Sequence, residues 1–167
     1  MTAQILLGNG IFFLGAMILM SLGLIRTKRM ILIAQIVQEA LMGIGMLILG
    51  GISGFIVDMV AIVRNLVCIR WKYTLKWKLV FIALQVGLYT AVGSEGFYGW
   101  MPVLAMALFT WFLDTDNVVL LKALIGIMQL MFLIYDSHIR NYVGIAVDIT
   151  SMITCVIGII RTKSAQP

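Results

Sequence analysis

The chain has 167 residues, of which 62% are hydrophobic and 11% charged, with a net charge of +5. A soluble fold of this size could not cover so much apolar surface, so the composition is that of an integral membrane protein in the lipid bilayer. The basic residues sit in clusters between apolar runs, which reads as topology signals and argues against a nucleic-acid partner.

About 20 apolar residues at a rise of about 1.5 Å each cross the hydrocarbon core. Seven segments reach or approach that length: residues 4–25, 30–49, 52–71, 78–93, 98–113, 118–136 and 141–161. The first follows Met1-Thr-Ala-Gln4, which lacks the basic region of a cleavable signal, and runs into Arg26-Thr-Lys-Arg29. It is expected to stay as a span.

Arg26, Lys28 and Arg29 follow the first span; Arg70, Lys72, Lys76 and Lys78 surround the turn between the third and fourth; Lys122 begins the sixth; Arg161 and Lys163 close the chain. If seven spans alternate, all of these share one side, against Arg140 on the other. The positive-inside rule then puts the N-terminus outside and the C-terminus in the cytoplasm, with the turn Asp114-Thr-Asp-Asn117 also cytoplasmic. The outer connections, Gly50-Gly51, 94–98 and 136–141, are short, so the chain is expected to form a single transmembrane domain. Trp71, Tyr73 and Trp77 fit an interfacial belt at the inner boundary, and Phe97, Tyr98 and Trp100 one at the outer. Trp111 is open between a belt role and a ligand contact.

The third span interrupts this pattern. Its run at 54–68 carries Asp58, Arg64 and Asn65, and an ionisable group at membrane depth costs about 3 kcal/mol or more, which makes it a functional-site hypothesis. The frame Gly54-Phe-Ile-Val-Asp58 returns as Gly144-Ile-Ala-Val-Asp148. A shift of 90 residues also lays Val57 on Val147 and Glu39 on Gln129. The predicted architecture is all-α, with two parallel triple-helix repeats (4–71 and 98–161) joined by a linker helix at 78–93. In transporters with such parallel repeats, the substrate site lies near the midplane between them.

Residues three, four and seven apart share a helix face. Gln35, Gln38 and Glu39, continued by Met42 and Met46, form one stripe; Asp58, Ala61, Asn65 and Cys68 a second; Lys122, Gly126, Gln129 and Asp136 a third; Asp148, Ser151, Cys155 and Gly158 a fourth. Lipid cannot satisfy such groups, so the stripes are expected to face one another or water. The competing reading is interhelical hydrogen bonding, and for Gln35, Gln85, Ser151 and Thr154 both readings stand open. Arg64 lies about 100° around its helix from Asn65. It either snorkels toward the inner boundary or pairs with a carboxylate such as Glu39.

Cys68 and Cys155 lie in apolar runs without metal or redox spacing and read as small buried thiols. His138 reads as a solvated loop residue, and the 12 methionines as packing. Nothing in the sequence calls for a cofactor or a metal, and no catalytic constellation points to an enzyme.

The segment Val57-Asp58-Met-Val-Ala-Ile-Val-Arg64-Asn65-Leu-Val-Cys-Ile-Arg70, preceded by the helix at 35–49 and Gly50-Gly51, resembles the bacterial inner-membrane family typified by YgjV. That resemblance implies a location in the bacterial inner membrane and no particular substrate. The arrangement of three, one and three spans is similar to SWEET sugar facilitators and PnuC-type vitamin-precursor transporters, and implies facilitated diffusion of a small molecule between the halves. SWEET proteins carry a hinge proline in the first helix of each half; here Pro102 lies in the fifth span and spans 1 to 3 have none.

The expected function is a small-molecule transporter or facilitator working by alternating access, with a sugar, nucleoside or vitamin precursor as substrate. Its expected substrate-binding residues are Glu39, Asp58, Arg64, Asn65, Gln129 and Asp148. The alternative is a non-transporting receptor or accessory subunit whose polar core is structural. Small residues at Gly43, Gly45, Gly50, Gly51 and Gly54 allow close helix contacts within one chain or in a homo-oligomer.

Overall fold

The computed structural model describes residues 3–21, 28–112 and 118–164. They form seven helices, with no strand among the described residues: α1 (Ala3–Ser21), α2 (Lys28–Leu49), α3 (Ile52–Arg70), α4 (Leu75–Val92), α5 (Gly96–Phe112), α6 (Val118–Ile139) and α7 (Tyr142–Ser164). Residues 22–25 of the expected first span, Arg26 and the turn at 114–117 lie outside the described residues, as do the side chains of Lys28, Lys122, Arg161 and Lys163. Four stretches, Leu32–Leu49, Ile52–Arg70, Leu75–Val92 and Tyr142–Ile160, are long and apolar enough to cross a membrane, and α1, α5 and α6 contribute shorter apolar helices.

Two connections are tighter than the sequence indicates. α6 runs on through Asp136 and His138 to Ile139, and α5 begins at Gly96, so parts of the expected outer loops are helical. The reason at α6 is its C-terminal cap. Arg140 takes the left-handed conformation (φ 60°) and the Asn141 amide donates to the Asp136 carbonyl at 2.9 Å, which satisfies a carbonyl that a fraying helix would leave bare. α2 ends the same way: Gly50 has φ 87° and the Gly51 amide donates to the Met46 carbonyl at 2.8 Å. These two caps are 90 residues apart. So are the starts and ends of α2 and α6, and the starts of α3 and α7.

The helices contact one another in a matching order. α1 packs on α2 and α2 on α3; α5 packs on α6 and α6 on α7; α3 meets α5, and α1 meets α7. α4 lies against α3 and α5. Val57, Ala61, Tyr89, Val103, Met106 and Met128 form one buried cluster, and Phe12, Met46, Tyr135 and Ile139 another.

The outside of the bundle is apolar. Leu6, Phe13, Val63, Leu79, Ile127, Ile153 and Ile160 are exposed, while Glu39, Asp58, Arg64, Asp136 and Asp148 are buried. An apolar exterior around a charged interior inverts the soluble plan and suits a lipid solvent. The aromatic belt is partly realised. Trp71, Phe97 and Tyr98 are exposed, but Trp100 packs edge-on against Tyr89 with centroids 4.8 Å apart, and Trp77 stacks on Phe81 at 5.8 Å. Those two rings are core as much as boundary. Gln85, fully buried on α4, donates to the Val103 carbonyl at 3.1 Å, the interhelical role that was one of its two readings.

Candidate functional site

The polar stripe of α3 faces α2 because Asp58, Ala61 and Asn65 recur every three or four residues on one side of the helix. In the C-terminal half of α3, Arg64 and Asn65 meet Glu39 of α2. The Asn65 amide donates to Glu39 Oε2 at 3.0 Å, and Arg64 Nη2 lies 3.8 Å from Glu39 Oε1. At that separation the arginine and glutamate interact as an ion pair, and Asn65 makes the short hydrogen bond. Arg64 Nη2 also donates to Asn65 Oδ1 at 3.5 Å and Nη1 to Thr110 Oγ1 of α5 at 3.1 Å, while the guanidinium lies 5.5 Å from the Phe109 ring centre. Of the two readings for Arg64, pairing with Glu39 is the one observed. A guanidinium suits this role because its fork can reach two acceptors at once.

Above this network is a cavity of about 210 Å³. Glu39, Asp58, Arg64, Gln129 and Asp148 all line it, and Asn65 joins through its bond to Glu39. Five of the six expected site residues therefore reach one space, drawn from α2, α3, α6 and α7. Gln35, Gln38, Met42 and Met46 extend the α2 wall, as their stripe requires.

Asp136 also lines the cavity, although the sequence reading placed it on the Gln129 face only and gave it no binding role. One of its oxygens accepts from the Asn141 side chain at 3.2 Å, and Asn141 Oδ1 in turn accepts from the Gly144 amide at 3.0 Å, capping α7. A Cβ at residue 144 would overlap the Asp136 carboxylate; at residue 54, ninety positions earlier, it would overlap the Met46 sulfur. The same glycine seat thus holds a thioether in one place and a carboxylate in the other.

Burial is nearly complete. Relative exposure is 6% at Glu39, 9% at Asp58, 2% at Arg64, 1% at Asp136 and 5% at Asp148. Asp58 Oδ2, Asp136 Oδ1 and Asp148 Oδ2 have no hydrogen-bond partner among the described residues. Asp58 lies within electrostatic range of Glu39, Asp136 and Arg64, and Asp148 within range of Asp136. Among the described residues, four acids therefore stand in the site against one guanidinium.

The rest of the α7 stripe does not reach the cavity. Ser151, with Thr150 and Thr154, faces a groove of about 620 Å³ between α1 and α7, separated from the acids by Leu19 and Val147, which line both spaces. Hydroxyls tolerate that apolar face because they bond their own helix: Thr150 donates to the Ala146 carbonyl at 2.8 Å and Thr154 to that of Ser151 at 2.9 Å. Near the first turn of α3 a second polar group, also missed from sequence, joins three elements. Both Glu95 oxygens lie 3.1 Å from the Ser53 amide, the Tyr135 hydroxyl donates to Glu95 Oε1 at 3.0 Å, and the Gly54 amide donates to that hydroxyl at 3.1 Å. Helix N-termini favour such anionic partners. His138 is an exposed helix residue stacked on Tyr98 at 4.2 Å, and not part of a loop.

Residues 6–166 match the Imp-YgjV model, described as a bacterial inner membrane protein. The chain belongs to that family. It is therefore a multi-pass protein of the bacterial inner membrane, in agreement with the apolar helices. Neither a curated protein nor a solved structure matches the chain.

Proposed function

We propose that this protein is a small-molecule membrane transporter or facilitator whose substrate binds in the cavity between α2, α3, α6 and α7. The observation that carries this reading is the set of three nearly buried aspartates with unpartnered oxygens that line one space inside an apolar helix bundle. A polar core that only fixed helix register would satisfy those atoms with neighbouring side chains. The 90-residue offset of α2 and α6, with a left-handed cap at each C-terminus, supports two parallel repeats joined by α4. So does the symmetric pattern in which α3 meets α5 and α1 meets α7. Rocking one triple-helix half against the other would open the cavity alternately to the two sides, as in other parallel-repeat carriers. On the positive-inside rule, the basic residues of the α3–α4 turn support a cytoplasmic position for that end and an external N-terminus. Catalysis is no part of this reading.

The test is solute uptake in proteoliposomes, comparing the natural protein with a variant carrying both Asp58→Asn and Asp148→Asn. Uptake that disappears in the variant supports transport. Full uptake in the variant would make the aspartates structural, and absence of uptake together with a co-purifying stoichiometric partner would favour the accessory-subunit reading. Orientation has its own check: a cysteine at the exposed position Ser94 should label from outside and one at Lys76 should not.

A further inference from the structure

We propose that the cavity is selective for small organic cations, molecules carrying one or two ammonium groups on a short carbon skeleton. This rests on the cavity being the ligand site, and it names the ligand's chemistry.

Charge is the first consideration. Glu39 and Arg64 neutralise each other at 3.8 Å, with Asn65 and Thr110 taking up further hydrogen-bonding capacity. What remains is Asp58, Asp136 and Asp148, each at least nine-tenths buried and each with an oxygen that no described residue satisfies. An ammonium group supplies donors and positive charge together, and a charge-assisted bond of that kind is stronger than one from a neutral hydroxyl.

Shape decides between an organic and an inorganic cation. No group of three acidic, histidine or cysteine side chains among the described residues converges to hold a metal ion. The acids are instead spread along a cavity of about 210 Å³, room for about seven waters at the liquid volume of about 30 Å³ each. A ligand of several heavy atoms fills such a space, and a bare ion does not.

The remaining lining matches a carbon skeleton. Phe12, Phe109, Phe132, Met42, Met106 and Met128 line the same cavity as the acids, and aromatic faces attract cations. The protein already uses one such face for its own cation, since Arg64 lies over Phe109 at 5.5 Å.

The experiment is isothermal titration of the nanodisc-reconstituted protein at neutral pH and fixed ionic strength. The probes are 1,4-diaminobutane, ethanolamine, the neutral polyol ribitol, and sodium chloride. The expected result is binding of both amines, with ribitol and sodium weaker by about tenfold or more, a gap of about 1.4 kcal/mol. Asp58→Asn and Asp148→Asn should each weaken amine binding by a similar factor, while Lys76→Ala, on an exposed side chain of α4, leaves it unchanged. Because asparagine removes a buried charge, both variants should remain folded, and a thermal unfolding scan confirms this before titration. Ribitol or sodium binding as tightly as the amines overturns the proposal, as does amine affinity indifferent to both substitutions or no amine binding into the millimolar range. Ribitol uptake without amine binding would retain the transporter and end the cation inference. Amine binding without uptake of any probe would do the reverse.

Discussion

Residues 28–70 and the stretch 90 positions later share the bounds of α2 and α6 and the starts of α3 and α7, but they treat buried charge differently. In the first, Glu39, Arg64 and Asn65 neutralise and hydrogen-bond one another. At the corresponding later positions stand Gln129, Thr154 and Cys155, with no charge at all. The later stretch keeps an acid at the position of Asp58, as Asp148, and adds Asp136 where the first has Met46; both line the cavity. The difference separates two uses of buried charge. An ion pair bonded to Asn65 and Thr110 ties α2, α3 and α5 together, whereas acids with spare lone pairs remain available to a ligand.

The largest test of that contrast is Arg64→Leu. It leaves the buried Glu39 without its cation, and truncating one member of a buried pair costs about 3–5 kcal/mol. The expected outcome is a sharply lower unfolding midpoint in detergent, followed by tryptophan fluorescence. Adding Glu39→Gln should recover most of the loss, since the stranded charge is then gone; a double-mutant cycle measures the coupling. If Arg64→Leu alone unfolds at the natural midpoint, the network is not a lock.

Asp148→Asn and Asp58→Asn sharpen the other side of the comparison. Neither aspartate has a cation as its own partner, so removing the charge should leave the unfolding midpoint unchanged or slightly raised while ligand affinity falls by about tenfold, or about 1.4 kcal/mol. A fall in stability comparable to that of Arg64→Leu would place these aspartates in the structural class.

How far this site could be read from sequence follows from the same residues. Asp58 and Asp148 stood out because any charge in an apolar run is conspicuous, and helical spacing then joined Glu39 and Gln129 to them. Seven spans were legible for the same reason. Asp136 escaped because it lies at the end of its apolar run, where hydropathy cannot separate the last buried turn from the first solvated one; only the Asn141 cap, at its position before α7, hinted that the helix reached further. Thr110 was invisible as an arginine partner, since a threonine in a span ordinarily bonds its own backbone. The Glu95–Tyr135 contact crosses 40 residues of sequence and no local pattern encodes it.

A smaller effect distinguishes how α3 and α7 begin. α7 is capped by Asn141, with Asn9 Oδ1 accepting from the Val143 amide at 3.0 Å, whereas α3 uses Glu95 and Tyr135. Asn141→Ala removes a cap worth about 1 kcal/mol and frees the Asp136 oxygen it holds. It should lower the unfolding midpoint modestly and, by leaving Asp136 less fixed, weaken amine binding as well. Glu95→Gln should lower stability by a similar amount and leave amine binding unchanged, because Glu95 does not line the cavity.

The smallest expected effect concerns the two left-handed caps. Gly50 adopts φ 87° without a side chain to clash, but Arg140 holds φ 60° with one, and a non-glycine residue in that region is strained by about 1–2 kcal/mol. Arg140→Gly relieves the strain. It also gives the unfolded chain more freedom, an opposing term of about 0.5–1 kcal/mol, so the net gain should be about 0.5 kcal/mol. Gly50→Ala runs the same comparison backwards, introducing a Cβ at a positive φ, and should cost about 1 kcal/mol. The two substitutions should therefore move the unfolding midpoint in opposite directions. Movement in the same direction would mean that the caps, although alike in φ and in hydrogen bonding, hold their helices by different means.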